Sequence, residues 1–394
     1  SASRQSRPLA DGLVSSISRG NVFSSPQQDL EWFEKNVASI NPENCLEELR
    51  KVWDIEDRQI FIGGNLDLPN ADKRILDVYG KSLKVEVEPP VEEETAEFAY
   101  TEFGEKGEII ERKDVYDLGV VQLRFANNVR VNLKRTDFAK DSISLAVRIG
   151  GGLLTAPKDK PGLHVVASSM LNGGGLEAHS ADDLRRIFAG KTVGSQFAID
   201  EDSFTFAGAT NQKDMLDAMR LIAAFVSAPG YREEALRQLH NNIDPLYTQL
   251  KHTPMGVMQA KVDPFLKSDD YRSGFPARDE LMERSIDEVK AWLGPALENA
   301  PMEIAIVGDF EESAAIEAAA QTFGALPKRQ ALKPEYRAER HMGFPEGGQR
   351  KRFEFESVFP KAMVGVYWST DDIWEIIRSR RVSVGGAIFG VRWR

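Results

Sequence analysis

The pattern that most constrains the fold of this chain is a segment that occurs twice. Ile304-Ala305-Ile306-Val307-Gly308-Asp309 matches Ile60-Phe61-Ile62-Gly63-Gly64-Asn65 at an offset of 244 residues (308 minus 64), and the same offset pairs Phe323-Gly324 with Tyr79-Gly80. Upstream, Pro276-Ala277-Arg278-Asp279 echoes Pro26-Gln27-Gln28-Asp29, and Trp292 stands in a helical pattern comparable to the one bearing Trp53. An apolar run closed by a glycine turn, recurring after helices of similar type, marks related domains in tandem. A chain of 394 residues is long enough for two or three of them, each with its own core.

Residues 1–83 read as the C-terminal part of a domain, because no opening strand precedes the repeated segment. Leu30, Phe33 and Val37, then Leu46, Leu49 and Trp53, fall at helical spacing and predict two helices broken near Asn41-Pro42. Ile60-Phe61-Ile62 predicts a buried strand, and Asp67 to Tyr79 a further helix with Ile75, Leu76 and Val78 facing inward. Residues 84–114 turn to Glu and Pro, as in Glu88-Pro89-Pro90-Val91-Glu92-Glu93-Glu94. Such a stretch lacks the apolar surface to offset ordering entropy and is expected to be an acidic linker.

A complete domain is expected over 115–328. Val121, Leu123, Val129, Val131 and Leu133 alternate around Asn127-Asn128 as a hairpin, and Ser142 to Ile149 alternates as another strand. A second hairpin runs from Ser195 to Ile199 and Ser203 to Ala207, followed by long helices at Gln212 to Ala228 and Arg232 to Leu250. Residues 329–350, with Pro334, Pro345 and Gly347-Gly348, read as a second linker. Residues 351–394 read as the truncated start of a further domain. Its expected strands are Phe353 to Phe355 and Met363 to Trp368, before a helix from Ile373 to about Phe389 with Arg378, Arg380 and Arg381 outward. The fold class is α+β, each domain a mostly antiparallel sheet covered by helices.

Within the complete domain, Gly162 to Met170 forms a short helix between Gly150-Gly151-Gly152 and Gly173-Gly174-Gly175, and carries His164. Together with Ala189-Gly190-Lys191-Thr192 leading into Ile199-Asp200-Glu201-Asp202-Ser203-Phe204, Tyr271-Arg272-Ser273-Gly274-Phe275-Pro276, Ile306 to Asp309 and Thr322 to Pro327, it resembles the pitrilysin/insulinase family of zinc metallopeptidases. The resemblance covers nearly the whole chain: the end of a second domain, a third domain and the start of a fourth. It implies four related domains in two halves that enclose a chamber, with zinc held by His-x-x-Glu-His on a helix of the catalytic half.

Aligned by Met170, that motif puts Val165 at the first histidine, Ser168 at the glutamate and Ser169 at the second histidine. All three functional positions are degenerate. His164 is one residue out of register, about 100° around the helix. The family's third ligand is a glutamate on a later helix, whereas Arg232 to Leu250 has only Glu233 and Glu234 in its first turn. The resemblance therefore implies no catalytic residue and no metal ligand in this chain, with zinc in the catalytic half of the parent protein. The expected partners are that N-terminal half of the same polypeptide and peptide substrates. The Arg and Tyr that the family's fourth domain contributes to substrate binding would fall beyond Arg394. The alternative is a catalytically inactive member acting as a scaffold or assembly subunit.

Other constellations have simpler explanations. Glu177, His179, Asp182 and Asp183 surround a helix start, where Ser180 and the helix dipole account for the carboxylates. Ala189-Gly190-Lys191-Thr192 imitates the end of a phosphate loop, but Arg185 occupies the position of the loop's first glycine. Asp200-Glu201-Asp202 is expected to be a solvated turn. Phe197, Phe204 and Phe206 are expected in the core, although the family resemblance implies that an exposed sheet edge could add a peptide strand. His240, His252 and His341 stand near no nucleophile pattern. A formal charge of −11 argues against nucleic acid, and the single Cys45 excludes an internal disulfide. No apolar run approaches the roughly 20 residues of a membrane span, and none resembles a signal peptide. The chain starts at Ser1 without methionine, as a mature form or an excised piece would. The compartment stays open between the bacterial periplasm and the cytoplasm, for a soluble protein in either case.

Overall fold

The computed structural model describes residues 6–54, 58–64, 68–87, 96–332, 334–357, 361–369 and 375–392. The chain divides into two compact units, residues 1–94 and 95–394.

Among its described residues the first unit is helical: α1 (Ser6–Ser18), α2 (Pro26–Val37), α3 (Pro42–Trp53) and α4 (Ala71–Ser82). Local chemistry sets these starts. Ser25 Oγ accepts the Gln28 N–H at 3.2 Å while Gln28 Oε1 accepts the Ser25 N–H at 2.8 Å, and Asn41 Oδ1 accepts the Asn44 N–H at 2.8 Å. Proline at the first helical position completes both, since its missing N–H would have no partner there. Helix α1 was not foreseen.

The buried strand expected at Ile60-Phe61-Ile62 is not found. These residues have no strand assignment and are 40%, 94% and 59% exposed. The reason is pairing: a strand exists only beside another strand, and the described residues of this unit hold none. For the same reason Leu76 and Val78, expected to face inward, are exposed, as are Trp32, Phe33, Leu49 and Trp53. Asn65, Asp67 and Glu88 to Glu94 lie outside the described residues.

The second unit is built on a seven-stranded sheet in the order β1-β2-β3-β7-β4-β6-β5. In chain order the strands are β1 (Ile109–Val115), β2 (Val120–Phe125), β3 (Arg130–Arg135), β4 (Ile143–Gly150), β5 (Gln196–Ile199), β6 (Ser203–Thr210) and β7 (Met302–Gly308). Only β3 and β7 run parallel. Alternation selects the buried face: Ile143, Leu145, Val147 and Ile149 of β4, and Met302, Ile304 and Ile306 of β7, are sealed from solvent. Strand β7 fills the slot between β3 and β4, with Ile304 opposite both Val131 and Val147.

Helices α5 (Leu163–Gly173) and α6 (Ala181–Ile187) lie between β4 and β5, and α7 (Met215–Ser227) and α8 (Glu233–His252) follow β6. Short turns α9 (Pro254–Val257), α10 (Asp263–Leu266) and α11 (Arg278–Met282) lead into α12 (Ile286–Asn299), and α13 (Glu312–Gln321) follows β7. Helix α7 is apolar on nearly every side, as a helix buried against a sheet must be. Helices α3 and α12 start 244 residues apart (286 minus 42), so the sequence repeat extends to helix boundaries.

Two expectations fail at the margins of this unit. Residues 96–114 are not a linker. Strand β1 pairs with β2, the Gly107 N–H donates to the Ala320 carbonyl at 3.0 Å, and Phe98 stacks on His179 and meets Phe188 edge-on. Three aromatics, Phe98, Tyr100 and Phe103, pack on the core and supply the apolar surface that the acidic average concealed. Toward the C-terminus, α14 (Arg337–Arg340) and α15 (Ile376–Arg392) form, but 353–355 and 363–368 are not strands. Neither segment pairs with a described strand of the sheet. Phe353 instead rests edge-on against Phe265, and His252 Nδ1 bonds the Glu356 carbonyl at 2.8 Å. Ile373 lies outside the described residues.

Candidate functional site

Helix α5 begins at Gly162 and buries Leu163, Val166, Ala167, Met170 and Leu171, the helical stripe that faces the sheet. His164, Val165, Ser168 and Ser169 fall on its remaining, half-buried flank. Burial holds the His164 pKa below its usual value, which favours the neutral ring.

The two glycine runs fix this helix by close backbone approach. Gly152 has φ +62°, and a Cβ there would lie 2.4 Å from the Asp200 carbonyl oxygen and from the Ser203 nitrogen. That contact is structural: the N–H groups of Gly151, Leu153 and Leu154 donate to the carbonyls of Asp202, Asp200 and Glu201 at 3.2, 2.9 and 2.9 Å. At the other end Gly175, φ +63°, passes so near His179 that a Cβ would meet the His179 carbonyl oxygen at 2.4 Å. The Gly175 carbonyl there accepts the Gly230 N–H at 2.9 Å. Both runs carry α5 against its neighbours.

In the turn Asp200-Glu201-Asp202 the first two residues are exposed as expected, and Asp202 departs from the expected solvated state. The turn's carbonyls are used as above, and the Asp202 side chain, 6% exposed, takes Arg148 at 3.1 Å and Arg340 at 2.9 Å. A buried carboxylate needs such partners.

The remaining candidates are also committed. Ser180 and Asp183 cap α6 reciprocally, and the Ser180 hydrogen bonds hold the Asp183 carboxyl below the usual range. His179 Nε2 accepts the Ala99 N–H at 2.9 Å, so the lone pair a metal would need is in use. Lys191 pairs with Asp217 at 2.6 Å, and the Thr192 N–H donates to Asp214 Oδ2 at 2.8 Å, where a phosphate cradle would have kept it open. Glu233 is exposed, and Glu234 pairs with Arg237 at 2.9 Å. On α8, His240 Nε2 is sealed from solvent without a hydrogen-bond partner among the described residues.

Zinc does not fit the α5 flank. Valine has no donor atom, and serine is not among the side chains that hold zinc, which are cysteine, histidine and the carboxylates. Among the described residues no three His, Cys, Asp or Glu side chains converge as a metal-binding group.

Two features had no signal in the sequence. A cleft of about 510 Å³ lies beside α5 and α12, lined by Pro157, Leu163, Trp292, Pro295, Ala300 and Tyr336 among others. Trp292 Nε1 donates to Thr155 Oγ1 at 3.1 Å within it. Asn172, an unremarked residue near the end of α5, bonds to β5 through both atoms of its side-chain amide group.

No family model and no curated protein matches this sequence. Solved structures do. A mutant of the ferredoxin protease FusC, in complex with Arabidopsis ferredoxin, matches with a TM-score of 0.52 at 17% identity, over 84% of this chain and 37% of that one. The periplasmic protease PqqL from Escherichia coli matches with a TM-score of 0.53 at 14% identity, again over 84% of this chain and 37% of that one. The chain thus spans 37% of the length of each. These likenesses show the fold: over 84% of its length the chain is folded like part of each of those two structures, the α+β fold that the resemblance to the pitrilysin/insulinase peptidases implied.

Proposed function

We propose that this chain belongs to the non-catalytic half of a zinc-dependent metalloendopeptidase, where it walls a chamber that encloses peptide substrates and docks against a catalytic half of the same polypeptide. The observation that carries the reading is α5. It keeps the packing stripe, the trailing Met170 and the flanking glycine runs of a metal-binding helix, while Val165, Ser168 and Ser169 stand at the chemical positions. Packing retained with chemistry lost is what a supporting copy of a catalytic domain requires. The zinc would sit in the other half, so no step of the reaction is assigned to residues of this chain.

The apolar side chains exposed on α2, α3 and α4 support the docking part of this reading, since patches of that kind mark surfaces made to be covered. Purified alone, the chain should bind zinc far below one ion per molecule and leave unstructured peptides uncut. A stoichiometric zinc by elemental analysis would overturn the reading.

The same helix also fits an inactive family member that serves as an assembly subunit. The two differ upstream: a His-x-x-Glu-His in the gene before the codon for Ser1 selects the peptidase. That segment, co-expressed with this chain, should then cleave peptide only when both are present.

A further inference from the structure

Among the described strands β5 lies at the end of the order and bonds only to β6, so its other side is a sheet edge. Unpaired edges accept extended peptides through alternate residues. The ladder with β6 sets which residues those are. Phe197 stands opposite Phe206 and Ile199 opposite Phe204, while the Asp200 N–H donates inward to the Ser203 carbonyl at 2.9 Å. Bonding alternates along an antiparallel pair, so Phe197 and Ile199 are the two residues of this four-residue strand that aim their backbone groups outward.

At Phe197 both groups are taken. The Phe197 N–H donates to Asn172 Oδ1 at 2.8 Å, and Asn172 Nδ2 donates to the Phe197 carbonyl at 2.9 Å. This is the reciprocal pair of bonds that one residue of an added strand would make, supplied by a side-chain amide. The second Nδ2 hydrogen goes to the Ser168 carbonyl of the same helix at 2.9 Å, which fixes the amide plane. The Phe197 ring is buried against Phe204 and Phe206, so the strand cannot readily withdraw from this contact.

We propose that Asn172 is an edge plug: it occupies the bonding position at Phe197 and closes β5 to an extended peptide strand. With that position filled, Ile199 alone offers outward backbone groups within β5, and one residue does not hold a strand. The edge is a strand acceptor by its bonding pattern, and α5, the helix packed beside β5, takes its bonds at Phe197 through the Asn172 side chain. The inference rests on these bonds and stands whether or not the chain is part of a peptidase.

Asn172→Ala in the 394-residue chain is the direct test, because alanine removes the plug and favours the helix. The probe is a fluorescein-labelled peptide of eight residues, alternating Thr and Val between terminal lysines. Hydrogen exchange at Phe197, followed by mass spectrometry, should speed up by about tenfold in the variant, as expected when an amide loses its partner. The variant should bind the probe about tenfold or more tightly than the unaltered chain does, by fluorescence anisotropy, with protection at Phe197 restored on binding. Should the alanine variant fail to fold by circular dichroism, Asn172→Gln carries the same test, since its longer side chain misplaces the amide. Exchange at an unchanged rate, or faster exchange with no gain in probe binding, overturns the proposal.

Discussion

Asn127 reaches Phe323 across 196 residues of sequence, donating from Nδ2 to its carbonyl at 2.8 Å. Its second Nδ2 hydrogen serves the Leu326 carbonyl at 2.9 Å, and its Oδ1 accepts the Val129 N–H at 3.1 Å. One buried amide thus joins the β2–β3 turn to the segment after α13. Asn127→Ala should lower unfolding free energy by about 2–4 kcal/mol, since it leaves several buried backbone groups without partners. Urea denaturation measures this, and Asn127→Asp, which cannot donate, should fall nearly as far.

Gly152 answers to a different constraint. Its left-handed φ and the 2.4 Å approach to Asp200 and Ser203 leave no space for a methyl group, and the obstructing atoms are backbone. Gly152→Ala should cost about 2–4 kcal/mol. The loss would appear as a lower melting temperature, and an unchanged melt would show that the loop yields.

Acid should expose the pairing of Asp270 with Arg272. The guanidinium meets the two carboxylate oxygens at 2.7 Å each, with side chains 15% and 5% exposed. That hydrogen bonding holds the Asp270 pKa below its ordinary value of 3.8. The folded state therefore favours the ionised form. The resulting stability is complete above the ordinary aspartate range and is lost as the pH falls below it, through the lowered folded-state pKa. Asp270→Asn should destabilise the protein at pH 7, and the gap from the unaltered chain should narrow toward pH 3 in paired urea titrations.

The first unit should announce its uncovered surface to an apolar dye. Phe61, Trp32 and Trp53 are 94%, 70% and 60% exposed. The triple substitution Phe61→Ser, Trp32→Ser and Trp53→Ser should lower the fluorescence of bound anilinonaphthalene sulfonate while the melt of residues 95–394 stays in place. An equal signal from both proteins would move the apolar surface elsewhere.

The sheet was legible because its strands bury one face, so residues such as Val121, Leu123, Val131 and Leu133 carry a period of two that composition cannot mask. Helix starts were legible because Ser25, Asn41 and Ser180 act within three residues of themselves. What failed depended on distant partners. Ile60-Phe61-Ile62 has the residues of a strand, but no sequence states whether neighbours are present to pair with it. Asp202 reads as a solvated turn until Arg148 and Arg340, 54 and 138 residues away, arrive beside it. In the candidate site, the identities of Val165, Ser168 and Ser169, none of them a usual zinc ligand, were plain from the sequence alone. The role of Asn172 was not, since Phe197 lies 25 residues downstream and nothing local links the two.

The position of β7 between β3 and β4 sets an order of events during synthesis. Val131 and Val147 emerge from the ribosome early, yet both wait for Ile304 before their strands are joined. Until then the growing chain holds two facing, unfilled strand edges in the middle of its sheet, where sticking to another chain is most damaging. The last strand to be made is the central one, so a chain broken off before Met302 lacks the strand that joins β1, β2 and β3 to β4, β6 and β5.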